Sequence, residues 1–364
     1  MDAMKPPRPA DRFSAEQFIG VAEAIVQHED QLMPFLPRFG WVDNSSTVEP
    51  GTCQLYDRAS LASRLEEASD GEKALKHELR KAQGLGPVRR LAKAPGPQAL
   101  RRLAEDFPHC RPVIDFIEQR CNLARITPGA TFSLPPILLT GTPGVRKTAF
   151  AESLAAHLAQ PIQRVDIAAA TAGFDLGGSH ESWAGARHGR IWTLLQSEMV
   201  SGVLMLEELD KAGNSKYPIL GPLYALLEPV SARHFRDAYI DVEVDASRII
   251  VVGTCNDADQ VEPALRSRFR EFRIPAPTKH DMPAIARSIY RVMRSTQPWT
   301  APFCEELPKD VLERLADVTP RQLYRALEDA HARAAADGKL HLLPEDIAIQ
   351  QTGRDNTARR IGFI

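Results

Sequence analysis

The stretch GTPGVRKT at residues 141–148 decides how the rest of the chain is interpreted. It follows the apolar run ILLT (137–140) and leads into TAFAESLAAHL (148–158), whose apolar residues have helical spacing. Between a strand and a helix, the pattern GxxxxGK(S/T) forms a phosphate-binding loop. Its backbone N–H groups surround the phosphates, its lysine reaches the β and γ oxygens, and its hydroxyl helps to hold magnesium. The predicted phosphate-binding residues are Gly141, Thr142, Pro143, Gly144, Val145, Arg146, Lys147, Thr148 and Ala149.

One residue of this stretch departs from the pattern, because Arg146 stands where the second glycine is expected. Glycine before the lysine lets the backbone approach the phosphates and adopt a conformation that costs other residues about 1 kcal/mol or more. A side chain of Arg146 that turns outward would preserve nucleotide affinity with poorer alignment of the phosphates. One that folds inward would compete with Lys147 for the phosphates.

Five apolar runs alternate with helical patterns after residue 134. These runs are PPILLTG (135–141), PIQRVDIAA (161–169), GVLMLEELD (202–210), RIIVVGTCND (248–257) and EFRIPAP (271–277). Near-continuous apolar strands alternating with helices are typical of a parallel sheet covered on both faces, with ligands at the carboxyl ends of its strands. We therefore expect an α/β domain with a parallel five-stranded sheet and flanking helices at residues 126–276.

Three further regions flank this domain. Helical spacing at about 280–294, 308–317 and 321–337 predicts a small all-helical lid domain over 277–350. Residues 1–125 are predicted to form a helical N-terminal region with a mobile leader, a helical segment at 15–39, a charged helical pattern at 56–83 and a further helical segment, FPHCRPVIDFIEQRCNLARI. The stretch GLGPVRRLAKAPGPQ (84–98) is predicted to be a hinge or linker. Residues 351–364 form a tail that ends in GFI.

Two acidic residues end the predicted third strand, in GVLMLEELDKAG. In the usual second motif of such enzymes, an aspartate holds magnesium and a glutamate polarises the attacking water. Here the pair is Glu207 and Glu208, so the carboxylate offered to the metal carries an extra methylene. At the end of the next strand, Asn256 is expected to reach the attacking water or the γ-phosphate.

Two arginines complete the set of candidate residues. Arg268 lies in EPALRSRFREFRIP, just before a strand, where an arginine can stabilise the γ-phosphate of a neighbouring subunit. Arg321 follows Thr319, a predicted helix N-cap, and Pro320, so it lies where a lid could contact the nucleotide.

The composition of the chain disfavours some classes of binding partner. The chain has 45 basic and 47 acidic residues, a balance that disfavours a general affinity for nucleic acid or acidic membranes. Its five cysteines lack a CxxC pair, so we expect reduced thiols and a cytoplasmic location. No apolar run has the length of a membrane span. The basic stretch between Lys73 and Arg102 has no interleaved aromatic residue for base stacking, which favours a solvated helix and linker.

The ordered motifs GTPGVRKT, LMLEELDKA, TCND, LRSRFRE and TPRQL resemble those of the AAA+ ATPases. The segments FDLGGSHESWAGARHGRIW and LYALLEPVSARHFRDAYIDVEVDASRIIVVGTCND make the ATPase module of Lon-type proteases the closer resemblance. It covers roughly residues 126–350. The resemblance implies ATP and Mg²⁺ as ligands, with Lys147 and Thr148 binding phosphate and magnesium. It implies that Glu207 and Glu208 are the acids of the second motif, Glu207 at the metal and Glu208 in catalysis. It also implies that Asn256 is the first sensor, Arg268 the arginine finger and Arg321 the second sensor.

The same resemblance implies a ring, of six subunits, with a polypeptide in its central pore. In Lon-like rings an aromatic residue, a small apolar residue and a glycine grip the polypeptide, and here those positions are Trp183, Ala184 and Gly185. Trp183 could instead pack under its own loop. Lon carries a peptidase domain after its lid, but only about 14 residues follow Gln350 here. The resemblance therefore implies an ATPase or remodeller and not a peptidase.

Two other classes of function fit these residues. Because Arg146 and Glu207 both depart from the motifs, the chain could hold nucleotide without turning it over and act as a scaffold or regulatory switch. A clamp-loader-like factor on DNA would use the basic stretch, and its affinity would fall steeply with salt.

Overall fold

The computed structural model describes residues 51–126, 132–169, 172–214 and 219–348, all within the compact unit Val48–Ile364. The predicted leader, the helical segment at 15–39 and the tail at 351–364 lie outside these residues. None of the helices within the described ranges combines the length and apolar character needed to cross a lipid bilayer. All five cysteines lie within these ranges and are free thiols.

Between residues 51 and 126, two short strands and four helices precede the α/β domain. They are β1 (Thr52–Gln54), α1 (Arg58–Glu67), α2 (Lys73–Leu85), β2 (Val88–Arg90), α3 (Pro97–Asp106) and α4 (Arg111–Ile126). The helical pattern at 56–83 is divided by a turn, in which the N–H of Ser69 donates to the Glu72 carboxylate at 2.7 Å. The linker prediction for 84–98 is wrong, because β2 pairs antiparallel with β1 and buries Leu91 behind it.

The remaining strands confirm the predicted sheet. They are β3 (Ile137–Thr140), β4 (Ile162–Asp166), β5 (Val203–Glu207), β6 (Phe235–Arg236), β7 (Glu243–Val244), β8 (Ile250–Cys255) and β9 (Arg270–Arg273). Five of them form one parallel sheet in the order β4-β5-β8-β3-β9, and β6 pairs with β7 as a separate hairpin. Since β3 and β8 are neighbours and β5 adjoins β8, the carboxyl ends of three motif-bearing strands meet at one edge.

Helices follow the strands as the alternating pattern predicts. Those of the α/β domain are α5 (Lys147–His157), α6 (Ala172–Gly177), α7 (Arg190–Leu195), α8 (Leu220–Leu227), α9 (Pro229–Ala232) and α10 (Pro263–Arg266). The lid contains α11 (Met282–Thr296), α12 (Lys309–Leu315) and α13 (Pro320–Ala336), which confirm the three predicted helices. Their apolar faces share one hydrophobic cluster, including Ile285, Leu312 and Leu327.

The two faces of the sheet are buried in two different hydrophobic clusters. Leu138, Leu204 and Leu206 belong to one cluster, while the alternating residues Leu139 and Met205 belong to the other. The N-terminal elements complete both: α1 and α2 contribute Leu61, Leu75 and Leu79 to the first, and α3 and α4 contribute Leu103, Phe116 and Ile117 to the second. Among the described residues, those between 51 and 126 therefore contribute to the core on which the sheet rests.

Candidate functional site

The loop between β3 and α5 has the backbone geometry of a tight phosphate-binding turn. Gly141 and Gly144 have φ angles of 151° and 87°. A Cβ on Gly141 would lie 2.5 Å from the carbonyl oxygen of Ile274, so only glycine fits there. Arg146 caps α5 in the left-handed conformation, with φ 68° and ψ 29°. The cost expected for a side chain at this position is therefore present, at about 1 kcal/mol.

The side chain of Arg146 turns away from the lysine beside it. Its guanidinium lies over the ring of Phe107, 4.6 Å from the centroid, and Nη1 is 3.5 Å from the carbonyl oxygen of Asp106. Burial lowers the pKa of Arg146 below its usual value, and the charge of Asp106 acts in the opposite direction. The side chain of Arg146 therefore turns outward, which is one of the two orientations considered from the sequence. In this orientation it does not compete with Lys147 for the phosphates.

Lys147 is held in place by three oxygen acceptors. Its Nζ donates to the carbonyl oxygens of Gly141 at 2.6 Å and Thr142 at 3.2 Å, and to Oδ1 of Asn256 at 3.1 Å. Burial lowers the pKa of Lys147, while Cys255 and Asp210 raise it. The arrangement points the ammonium into the loop and joins two predicted residues, Lys147 and Asn256, through one hydrogen bond.

Glu207 ends β5 and Glu208 follows it, and both line the same cleft as the loop. Thr148 Oγ1 donates to Glu207 Oε1 at 3.1 Å, so the predicted metal-binding hydroxyl and carboxylate are adjacent. Oxygen ligands of this kind suit Mg²⁺, and the pair fits such an ion chemically. Glu208 follows the strand in the left-handed conformation, with φ 58°. Such a conformation costs a residue with a Cβ about 1 kcal/mol or more and clusters at functional sites.

These residues line one cleft of about 460 Å³. Its walls include most of the predicted phosphate and catalytic residues: Pro143, Gly144, Arg146, Lys147, Thr148, Ala149, Glu207, Glu208, Asn256 and Arg321. Arg321, in the first turn of α13, brings the lid close to the loop. A Cβ added at Gly144 would lie 3.6 Å from the Cβ of Arg321. A neighbouring cleft of about 570 Å³ continues from Gly144 and is lined by the phosphate loop, by residues from Ala276 to Met282 and by the segment Ala316–Arg321.

Arg268 lies outside this cleft. Its guanidinium packs over the ring of Tyr224 at 4.7 Å, and Nη1 donates to the carbonyl oxygen of Ala264 at 2.5 Å. The nearby Arg266 pairs with Asp259 and Glu271, so it serves the local fold. Within one chain, Arg268 therefore does not reach the loop residues that the motifs bring together.

Trp183 is exposed on the surface of the α/β domain. Half of its surface is accessible to solvent, and its ring contacts Phe174 edge-on at 5.1 Å. Gly185 has a φ of 80° and turns the chain immediately after Ala184. Trp183 is therefore not buried under its own loop, which was the alternative considered from the sequence.

Sequence reasoning missed two residues that shape the cleft. Arg164, from β4, donates to both carboxylate oxygens of Glu207 at 2.9–3.0 Å. His109, buried before α4, places Nε2 at 3.0 Å from the carbonyl oxygen of Val145 and supports the loop from behind. Arg164 shares β4 with Gln163 and Asp166, so the local sequence does not single it out. Nothing in the sequence around His109 marks it.

Comparisons with known proteins agree with this geometry. Residues 137–276 match the ATPase family associated with various cellular activities (AAA). The peroxisomal Lon protease homolog 2 of Pichia angusta is 36% identical over 150 residues, which are 40% of this chain and 16% of that protein. The Lon protease of Campylobacter concisus (strain 13826) is 28% identical over 206 residues, which are 55% of this chain and 26% of that protein.

Solved structures were also compared. A point mutant of Thermotoga maritima RuvB superposes with a TM-score of 0.44 and 16% identity, over 65% of this chain and 67% of that one. The chain spans about a quarter or less of the length of the Lon proteases cited above. The sequence match, the sheet order and the loop together lead to one conclusion: this chain contains an AAA ATPase domain of the type found in the Lon proteases.

Proposed function

We propose that this chain binds and hydrolyses ATP and couples hydrolysis to the remodelling or translocation of a polypeptide through a ring. The observation that carries the proposal is the cleft that Lys147, Thr148, Glu208, Asn256 and Arg321 share. Charged and polar groups from the loop, two strand ends and the lid converge there, as transfer of a phosphoryl group requires.

Each residue has a role that its position supports. The N–H groups of residues 144–148 and the ammonium of Lys147 would hold the phosphates. Glu208 would orient the attacking water, Asn256 would fix that water or the γ-phosphate, and Arg321 would contact the phosphates from the lid. Thr148 and Glu207 would hold Mg²⁺, which when bound neutralises charge on the β- and γ-phosphates. The nucleoside would lie in the adjoining cleft between Gly144 and the lid.

The position of Arg268 within one chain supports assembly into a ring. Because Arg268 packs on Tyr224 and does not line the cleft of its own chain, it is available to a neighbouring subunit's nucleotide. Six subunits would then place six copies of exposed Trp183 around a pore. A half-exposed aromatic ring on a glycine-containing loop suits contact with many polypeptide sequences. We further propose the division into residues 1–125, 126–276, 277–350 and 351–364, and a cytoplasmic location.

The role of Glu208 can be tested by removing its charge. We expect Glu208→Gln to lower ATP turnover by about 10²-fold or more, because the water loses its general base, and to leave the Kd for ATP within about threefold. Phosphate release and nucleotide titration measure the two quantities. Glu198→Gln is the matched control, since Glu198 is exposed and lies outside the cleft. Equal turnover in both variants would refute the assignment.

A second candidate function is a nucleotide-dependent switch without turnover. The specific observation in its favour is that the Glu207 carboxylate is paired with Arg164. Nucleotide binding with phosphate release no faster than the buffer blank, in the unmodified chain, would favour the switch over the motor.

A further inference from the structure

Arg164 holds the carboxylate that the second motif offers to a metal. Three donor–acceptor distances join them: Nε to Oε2 at 3.0 Å, and Nη2 to Oε1 at 3.0 Å and to Oε2 at 2.9 Å. Thr148 donates to the same Oε1. This is the two-pronged geometry in which an arginine binds a carboxylate most strongly.

The sheet register explains how the pair forms. β4 and β5 are parallel neighbours, with Asp166 opposite Glu207 and Arg164 opposite Met205. Arg164 therefore lies one diagonal step from Glu207 on the same face of the sheet, within reach of a long side chain. The extra methylene of Glu207, compared with aspartate, extends its carboxylate toward the guanidinium. A second acid, Glu152 on α5, fixes Arg164 from the other side at 2.8 Å.

The pair changes the charge that a polyphosphate meets in the cleft. A free carboxylate beside the phosphates repels them, and a divalent cation normally removes that repulsion. Here the guanidinium compensates the charge of Glu207. The Glu207 side chain is 18% accessible to solvent and the Arg164 side chain 49%, so water screens the pair mainly from the side of the arginine. A metal that uses Glu207 as a ligand would compete with Arg164 for the carboxylate oxygens.

We propose that Arg164 takes the place of the divalent cation on Glu207 while nucleotide binds, so that nucleotide affinity is nearly independent of Mg²⁺. The ion is then needed for turnover and not for binding. This inference rests on the proposed function, because it concerns the same cleft. It identifies Arg164 as a positioning residue for Glu207, and it explains why a glutamate serves at a place where aspartate is usual.

The experiment compares the Kd of a fluorescent ADP analogue in EDTA and in Mg²⁺. For the unmodified chain we expect the two values to agree within about threefold, because the charge of Glu207 is already compensated. For Arg164→Gln we expect binding in EDTA to be at least about tenfold weaker than in Mg²⁺, because the bare carboxylate repels the phosphates. Arg190→Gln is the matched control, since Arg190 is exposed and outside the cleft.

A double variant separates repulsion by Glu207 from direct loss of a positive charge. Adding Glu207→Gln to Arg164→Gln should restore metal-free binding, because the repelling carboxylate is gone. If the double variant binds as weakly in EDTA as Arg164→Gln, the proposal is overturned. It is also overturned if the unmodified chain binds at least tenfold more tightly in Mg²⁺, or if Arg164→Gln has the same metal dependence as the unmodified chain. Failure of every variant to bind in either buffer would overturn the proposed function and this inference together.

Discussion

At the scale of single residues, Arg146 is the clearest departure from the phosphate-loop pattern. The sequence was sufficient to predict the loop, because the strand before it and the helix after it are legible as local patterns. It was also sufficient to expect a backbone cost at Arg146, which the φ of 68° bears out. The direction of the side chain was not predictable, because the aromatic ring of Phe107 that receives it lies on a different element.

Substitution of Arg146 should separate the backbone cost from the contacts of the side chain. Arg146→Gly relieves about 1 kcal/mol of left-handed strain and loses a cation–π contact of about 0.5–2 kcal/mol, so its net effect on stability should be small. Arg146→Ala loses the contact and keeps the strain, so it should be less stable than Arg146→Gly by about 1 kcal/mol. Urea unfolding of both variants measures this difference, and equal stabilities would contradict it.

At the scale of secondary-structure elements, those with a local sequence pattern were predictable, and those that depend on tertiary contacts were not. The inner strands β3, β5 and β8 were found from sequence because both faces of the sheet are buried there, which makes each of them a nearly continuous apolar run. The edge strands β4 and β9 carry charged residues and were found from the apolar residues within or beside them. Strands β1 and β2 were missed because each spans 3 residues and β2 lies among glycines and prolines. What stabilises β2 is the contact of Leu91 with the core, which no local pattern reveals. Arg164 was missed for the same reason, since its partner is on another strand.

The lid contains a buried histidine whose protonation should destabilise it. His331 lies among Tyr290, Trp299 and Phe303, with Nδ1 at 2.6 Å from the carbonyl oxygen of Leu327. Burial lowers the pKa of His331, with Arg294 acting in the same direction and the Leu327 hydrogen bond opposing it. The folded lid therefore favours the neutral ring.

The direction of the pH effect follows from that depressed pKa. The unfolded chain binds the proton more tightly, so stability is complete above the ordinary histidine pKa of about 6.5 and is lost as the pH falls below it. We expect unfolding free energies from urea titrations to be lower at pH 5.5 than at pH 7.5, by at most about 1.4 kcal/mol for this one group, because pH 5.5 lies about one unit below the ordinary histidine pKa. His331→Phe should lose most of this slope. Burial also lowers the pKa of His109, so protonation of His109 should account for the pH dependence that remains.

At the scale of the whole molecule, the N-terminal segment and the α/β domain share their hydrophobic cores. The sequence predicts a domain boundary at residue 125, because the pattern changes there from charged helices to apolar strands. Yet Leu103 and Phe107 belong to the same cluster as Phe150 and Leu154 of α5. Composition cannot reveal such sharing, because an amphipathic helix looks the same whether its partner is a neighbouring helix or a distant sheet.

Assembly into a ring can be tested by mixing two inactive variants. Lys147→Ala removes the phosphate contact in the subunit's own cleft, and Arg268→Ala removes the arginine proposed to serve the neighbour. Each alone should lose about 10³-fold or more in turnover. In a 1:1 mixture, an Arg268→Ala cleft beside a Lys147→Ala neighbour is complete, so turnover should recover to about a quarter of the wild-type value.

Phosphate release measures the recovery, and light scattering establishes that mixed assemblies form. Mixed rings without recovery would show that Arg268 does not act between subunits. A monomer under every nucleotide condition would contradict the ring itself.

The edges of the central sheet have a consequence for how copies of this chain can associate. The outermost strands are β4 and β9, and β9 consists of Arg270, Glu271, Phe272 and Arg273. Three charged side chains in four residues disfavour the addition of a foreign strand, since pairing would strip water from them. Fibrils built by strand-to-strand growth are therefore discouraged at this edge, even at the high local concentrations that crowded assemblies create.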